Sequence, residues 1–124
     1  MGEEFNPTQP IYWQLVQRIC RQIVRRQLQP GEKLPSVREM AVKMGVNPNT
    51  VQRAYTELER LAIVVTKRGL GTFVTEDQGK LKEIRAELKQ NLIASFVKDM
   101  QEMGFSVGEI YQGLEEALHK SEGN

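Results

Sequence analysis

The chain has 124 residues, 40% hydrophobic and 27% charged, and its 17 Lys and Arg against 16 Asp and Glu leave a net charge of +1. That is enough for one modest domain, or a small domain with an appendage, of ordinary soluble composition. No apolar run approaches the roughly 20 residues needed to cross a bilayer, so no membrane partner is expected; the single cysteine, Cys20, excludes an internal disulfide and suits a reducing cytoplasm.

The charge is unevenly spread. Residues 1–77 carry 11 Lys and Arg against 8 Asp and Glu, while residues 78–124 carry 6 against 8. A basic front and an acidic back assign any anionic partner to the front. The opening Met1-Gly2-Glu3-Glu4-Phe5-Asn6-Pro7 is acidic and holds no apolar signal core, so export is not expected. Asn6 stands where a myristoylation signal starting at Gly2 needs Ser or Thr. Residues 1–9 have little apolar content to anchor them and are expected to be mobile.

Pro10 opens a helical pattern in which Ile11, Tyr12, Leu15, Ile19, Ile23 and Leu28 recur mostly at three- and four-residue steps. The opposite face holds Arg18, Arg21, Arg25 and Arg26; for Arg18 and Arg21 the expectation is a solvated surface. Cys20 sits beside Ile19 and reads as a small core residue. Trp13 lies off the stripe, against either a second subunit or the C-terminal part. Gln29-Pro30-Gly31-Glu32-Lys33 is a turn, because Pro followed by Gly sets up a sharp reversal.

Residues 34–55 read as two short helices joined tightly. Ser36, with Glu39 three positions on, forms a capping box. Met40, Ala41 and Met44 supply the apolar face, and Gly45 takes the left-handed conformation that ends a helix. Val46 plugs the angle between the helices. Asn47 is a second N-cap, with Pro48 at the first helical position, where its missing N–H costs nothing. The second helix runs through Val51, Ala54, Tyr55 and Leu58 to about Leu61. This is a helix-turn-helix pattern.

The first two turns of that second helix crowd together Asn47, Asn49, Thr50, Gln52 and Arg53. Amide side chains pair bidentately with adenine, Arg with guanine, and Thr meets phosphate or a thymine methyl. Recognition helices place such groups at their N-terminal end. The alternative is a capped surface helix with ordinary polar residues.

Ile63–Thr66 and Thr72–Thr75 read as two strands, with Lys67-Arg68-Gly69-Leu70-Gly71 at the hairpin tip. A two-stranded hairpin is marginal alone and must lie against the helices. Helix-turn-helix followed by a basic hairpin is a winged helix, whose Lys67 and Arg68 suit phosphate or the minor groove. Glu76-Asp77-Gln78-Gly79 reads as a linker. Beyond it, Leu81, Ile84, Leu88, Leu92, Phe96, Met100 and Met103 mark a helix of about six turns ended by Gly104. Ser106 and Glu109 form another capping box before Ile110, Tyr111, Leu114 and Leu118. Two helices cannot bury both stripes and leave Phe96, Val97 and Tyr111 dry. The surface is therefore expected to be covered by a second copy, the alternative being that it folds back on its own winged helix.

Taken together, these words resemble the GntR family of bacterial transcription regulators. They are Pro10-Ile11-Tyr12, Pro30 through Glu39, Asn47 through Tyr55, Leu58-Glu59 and Arg68 through Val74. The Asn47-Pro48-Asn49-Thr50 word and the short tail resemble the YtrA subfamily. The resemblance implies a winged-helix repressor over residues 10–75, acting as a homodimer through a helical hairpin over residues 80–120. It implies double-stranded operator DNA, palindromic, as the partner, and often control of neighbouring ABC-transporter genes. It places DNA contacts on Arg38, Asn47, Asn49, Thr50, Gln52, Arg68 and Gly69, and Ser36, Arg53 and Lys67 complete the expected DNA-binding set. Within that hairpin, the apolar stripes read above put the dimer interface on Leu81, Ile84, Leu88, Leu92, Phe96, Tyr111 and Leu114. Gln52 stands where many members have Arg. Ala62 departs from the usual glycine and is expected to alter the wing's approach rather than the fold.

Three functions compete: a DNA-binding regulator, a protein-interaction module built on a winged helix, and an enzyme. The basic hairpin tip and the amide-rich helix start favour the first. For catalysis, His119 is alone near a frayed end and Cys20 is alone on a core stripe, and no metal-ligand spacing exists. No catalytic residue, metal or cofactor is expected. Neither the operator nor an inducer is named by the residues. The tail of about 45 residues is too small for a dedicated ligand domain, which leaves only the space between subunits for such a molecule.

Overall fold

A computed structural model describes Phe5 and residues 7–123. The elements run α1 (Ile11–Val24), α2 (Val37–Met44), α3 (Pro48–Arg60), β1 (Val64–Lys67), β2 (Gly71–Val74), α4 (Gln78–Glu102) and α5 (Val107–Glu122). This is the expected class, mainly helical with one antiparallel hairpin. The expectations resting on Met1–Glu4 and Asn6 lie outside the described residues. Pro7–Gln9 form a turn, and the Gln14 side-chain amide donates to the Gln9 carbonyl at 2.9 Å. The chain divides into two compact units, Met1–Ala86 and Glu87–Asn124.

In the first unit, α1 and α2 both pack against α3. The core comes from Leu15, Val16, Ile19 and Ile23 of α1, Met40 and Ala41 of α2, and Val51, Ala54, Tyr55 and Leu58 of α3, closed by Leu34, Ile63, Val64 and Val74. Cys20 is buried, as its place beside Ile19 implies. Two details differ from the periodicity. Ile11, in the first turn of α1, is 41% exposed; Val16, off the expected stripe, is buried. Arg18 also departs from a merely solvated face: its guanidinium donates to the Met44 sulfur at 3.6 Å and lies 4.3 Å over the Phe5 ring.

The strands lie one residue from the expected positions, with Val64 opposite Val74 and Lys67 opposite Gly71. The sequence pattern missed a third partner. The Leu34 N–H donates to Thr72 O at 2.8 Å, the Val74 N–H to Glu32 O at 2.8 Å, and the Gly31 N–H to Val74 O at 2.9 Å. Residues 31–34 thus pair with the far edge of β2. Their run is too short and too interrupted by Pro and Gly to show a period of two. The reversal at Gly31 (φ 79°), with the Glu32 N–H on Gln29 O at 3.0 Å, aims them there.

Ala62 leaves α3 in the left-handed region (φ 61°), its N–H on Glu59 O and the Ile63 N–H on Leu58 O, both at 2.9 Å. The turn that glycine would make cheaply is therefore kept, at a cost of about 1 kcal/mol.

The expected linker is shorter than Glu76–Gly79. Asp77 caps α4, its carboxylate accepting the Lys80 N–H at 3.1 Å, so Gln78 and Gly79 are already helical. Ile84 is 6% exposed and Leu81 and Leu88 are half-buried. The second unit holds the rest of α4 and α5. Gly104 (φ 92°) ends α4, with the Phe105 N–H on Met100 O at 3.1 Å. Ser106 and Glu109 then form the expected capping box. Leu92 is 69% exposed, Phe96 38%, Tyr111 73% and Leu114 39%. No helix among the described residues is long and apolar enough to cross a membrane.

Candidate functional site

The α2–α3 corner is built by its end residues. The Ser36 hydroxyl accepts the Glu39 N–H at 3.1 Å, and the Glu39 carboxylate accepts the Ser36 N–H at 2.8 Å. These bonds to Ser36 hold the Glu39 carboxyl below its ordinary pKa, backbone bond first, with the Lys33 charge adding to the effect. Gly45 is left-handed at φ 68°, and the Val46 N–H reaches back to Ala41 O at 3.0 Å. Val46 is half-buried in the turn. Asn47 then caps α3, accepting the Asn49 N–H at 2.7 Å, with Pro48 in the first position. The Asn47 oxygen is thus committed to the backbone.

The packed face of α3 fixes what its other face offers. With Val51, Ala54, Tyr55 and Leu58 buried, Asn49, Gln52, Arg53 and Thr56 are exposed and Thr50 is half-buried. The Gln52 amide donates to the Thr56 hydroxyl at 3.3 Å, a long and weak bond. The Arg53 guanidinium stacks 3.9 Å over the Tyr12 ring of α1. Arg38 is exposed in the first turn of α2.

Tyr55, which sequence reasoning counted only as core, also sets the corner. Its hydroxyl donates to Pro35 O at 2.6 Å and so ties α3 to the residue before the α2 cap. Burial, then the charge of Glu39, pushes its pKa from 10.0 up to about 12. The fold favours the protonated phenol. Its contribution is therefore whole below pH 10 and is lost as pH rises through about 12. Tyr55→Phe is expected to cost about 1 kcal/mol at pH 8 and to lessen the alkaline loss of stability, as read by urea unfolding from pH 8 to 12. An equally steep alkaline loss in the variant would deny Tyr55 this role.

The wing reverses through Gly69 (φ 79°), with the Leu70 N–H on Lys67 O at 2.8 Å. Lys67 Nζ lies 4.7 Å over the Phe73 ring, which steadies it against β2. Arg68 is exposed and has no ion pair among the described residues. Lys33, unnoticed in the sequence, joins them. At Gly71 (φ 126°) an added Cβ would stand 2.7 Å from Lys33 Cε, so the absence of a side chain there lets Lys33 lie along the wing. Lys33, Lys67 and Arg68 line one groove of about 480 Å³ with Ser36, Tyr55 and Gly69, and none of the described residues lining it is acidic. Ser36, Lys67, Arg68 and Gly69 are thus brought together. Arg38, Asn47, Asn49, Thr50, Gln52 and Arg53 stand outside the groove, on α2 and α3.

Residues 11–74 match the model of the family described as bacterial regulatory proteins, gntR family. The chain is 46% identical over 114 residues to the uncharacterized HTH-type transcriptional regulator YhcF of Bacillus subtilis, covering 92% of this chain and 94% of that one. It is 44% identical over 90 residues to the HTH-type transcriptional repressor YtrA of the same organism, covering 68% and 69%. Its fold is similar to a GntR family transcriptional regulator from Listeria monocytogenes, with a TM-score of 0.83 at 38% identity over 90% and 98% of the two chains. A further likeness, with a TM-score of 0.52 and 29% identity over 60% of this chain and 88% of the other, is to AraR(DBD) in complex with an operator. The chain is therefore a DNA-binding transcription regulator and not an enzyme, and it belongs to the gntR family of bacterial regulatory proteins.

Proposed function

We propose that the chain is a cytoplasmic repressor that binds a palindromic operator as a homodimer, reading bases with α3 and holding phosphate with the wing. The carrying observation is the exposed polar row at the start of α3 together with an acid-free groove that holds Lys33, Lys67 and Arg68. Asn49, Thr50 and Gln52 take the base edges, since the Asn47 oxygen is spent on the cap. Arg38, Arg53, Lys67 and Arg68 take phosphates, the Ser36 hydroxyl retains a proton to donate, and Gly69 lets backbone approach the duplex. YtrA is named a repressor, which supports repression here; resemblance to that subfamily supports ABC-transporter genes as targets.

The DNA-binding domain is assigned to residues 10–75 and the dimerisation hairpin to 80–120. Leu92, Phe96, Tyr111 and Leu114 support the interface by their exposure. Ile84 is already enclosed by its own chain and offers little surface to a second copy.

Selection of duplexes from a random pool, followed by transcription of the neighbouring genes with and without the chain, tests this reading. No enriched sequence would favour a protein-interaction module. Arg68→Ala is expected to weaken binding to every duplex and to lower the salt slope by about 1, because a neutralised phosphate releases its counterions. An unchanged slope would remove Arg68 from the phosphate contacts. Gln52→Arg is expected to move preference at one base pair from adenine to guanine, by roughly 1–3 kcal/mol. Identical profiles for both proteins over all single-base variants would show that Gln52 reads no base.

A further inference from the structure

Tyr12 belongs to the Pro10-Ile11-Tyr12 word, and neither base reading nor phosphate binding has used it so far. It lies on α1, which packs against α3, and its half-exposed ring sits 3.9 Å beneath the guanidinium of Arg53. Arg53 shares the exposed face of α3 with Asn49, Gln52 and Thr56. It has no ion pair among the described residues, although Glu57 stands one turn on; that carboxylate is held by Arg60.

A stacked guanidinium is occupied on its face and open at its edge. The five N–H donors radiate in the plane of the group, so a ring beneath it leaves the fork available for a phosphate or a guanine edge. Stacking also removes rotamer freedom that a long, exposed side chain would otherwise lose on binding. We propose that Tyr12 is a positioning residue for DNA recognition: its ring, carried on α1, pre-sets the Arg53 fork on the DNA-reading face of α3. The elements that reach DNA are thereby extended to α1, although Tyr12 acts through Arg53 and not on a base. The inference rests on the reading that Arg53 meets DNA, and that reading has its own arm in the test.

The test uses the full chain and a duplex that it selects from a random pool. Arg53→Ala is expected to weaken binding and to lower the salt slope by about 1 if the contact is a phosphate. Tyr12→Leu keeps an apolar side chain without the ring and is expected to weaken binding about two- to five-fold, the scale of an exposed cation–π contact. Tyr12→Phe and Tyr12→Trp keep a ring and are expected to bind as the parent does. In the Arg53→Ala background, Tyr12→Leu is expected to change nothing further, which is the signature of acting through one partner. Melting temperature, followed for each variant, separates lost docking of α1 from lost positioning; if the Leu variant unfolds, Tyr12→Met, a longer apolar side chain without a ring, takes its place with the same expected loss. An equal loss from Tyr12→Leu with and without Arg53, or a loss in Tyr12→Phe, overturns the proposal while leaving Arg53 as a DNA contact. No effect of Arg53→Ala overturns both.

Discussion

Leu58→Ala is expected to lower stability by about 2–5 kcal/mol, the range for deleting a fully buried leucine side chain. Leu58 has no exposed area, and its carbonyl accepts the Ile63 N–H that turns the chain from α3 into the wing. A loss of that size lowers the melting temperature by about 10 °C or more. The matched control is Leu70→Ala at the hairpin tip, 62% exposed, where a change within about 0.5 kcal/mol is expected. Urea unfolding of both variants checks the contrast, and similar values for the two would show that Leu58 is not a core anchor.

The second large effect concerns the tail. Leu92→Asp with Phe96→Asp would set two charges on the exposed apolar face of α4. If that face is the interface, both charges are buried unpaired on association, which strongly disfavours the dimer. Monomers are expected by light scattering, with an unchanged melting profile at low protein concentration for the winged helix itself. Operator affinity is expected to fall by about 10²- to 10⁴-fold, because two linked half-site binders make the second contact intramolecular. Binding to a single half-site is expected to be unaffected. A variant that remains dimeric moves the interface elsewhere.

Most of the helix-turn-helix was legible because its signals are local. Ser36 with Glu39, Gly45, Asn47 and Pro48 each act within four residues, and each does in space what its spacing implies. The exposed row Asn49, Gln52, Arg53 followed from the same 3.6-residue period. What stayed hidden depends on residues far apart in sequence. Tyr55 reaching Pro35, Lys33 lying along Gly71, and Arg53 over Tyr12 each join segments that no local pattern connects. The linker was read too long for a different reason: Gly79 disguises a helix start that Asp77 has already capped. In the tail, periodicity marked an apolar stripe but carried no information about which part its own chain encloses. Ile84 and Leu92 look alike in sequence, yet one is 6% and the other 69% exposed.

The pairing of residues 31–34 with β2 has a kinetic side. It joins Leu34 to Thr72 across a span that contains the whole of α2 and α3. Non-local strand pairing must close that loop before any bond rewards it, and the hairpin alone is too small to persist. The wing therefore assembles after the helices have docked and cannot outlast them. In hydrogen exchange, the Leu34 and Val74 amides will open only with the global unfolding of the first unit, while Leu70 at the tip exchanges by local fraying. Slow exchange at the base of the wing is thus a direct readout that the whole winged helix is intact, measured at two backbone amides.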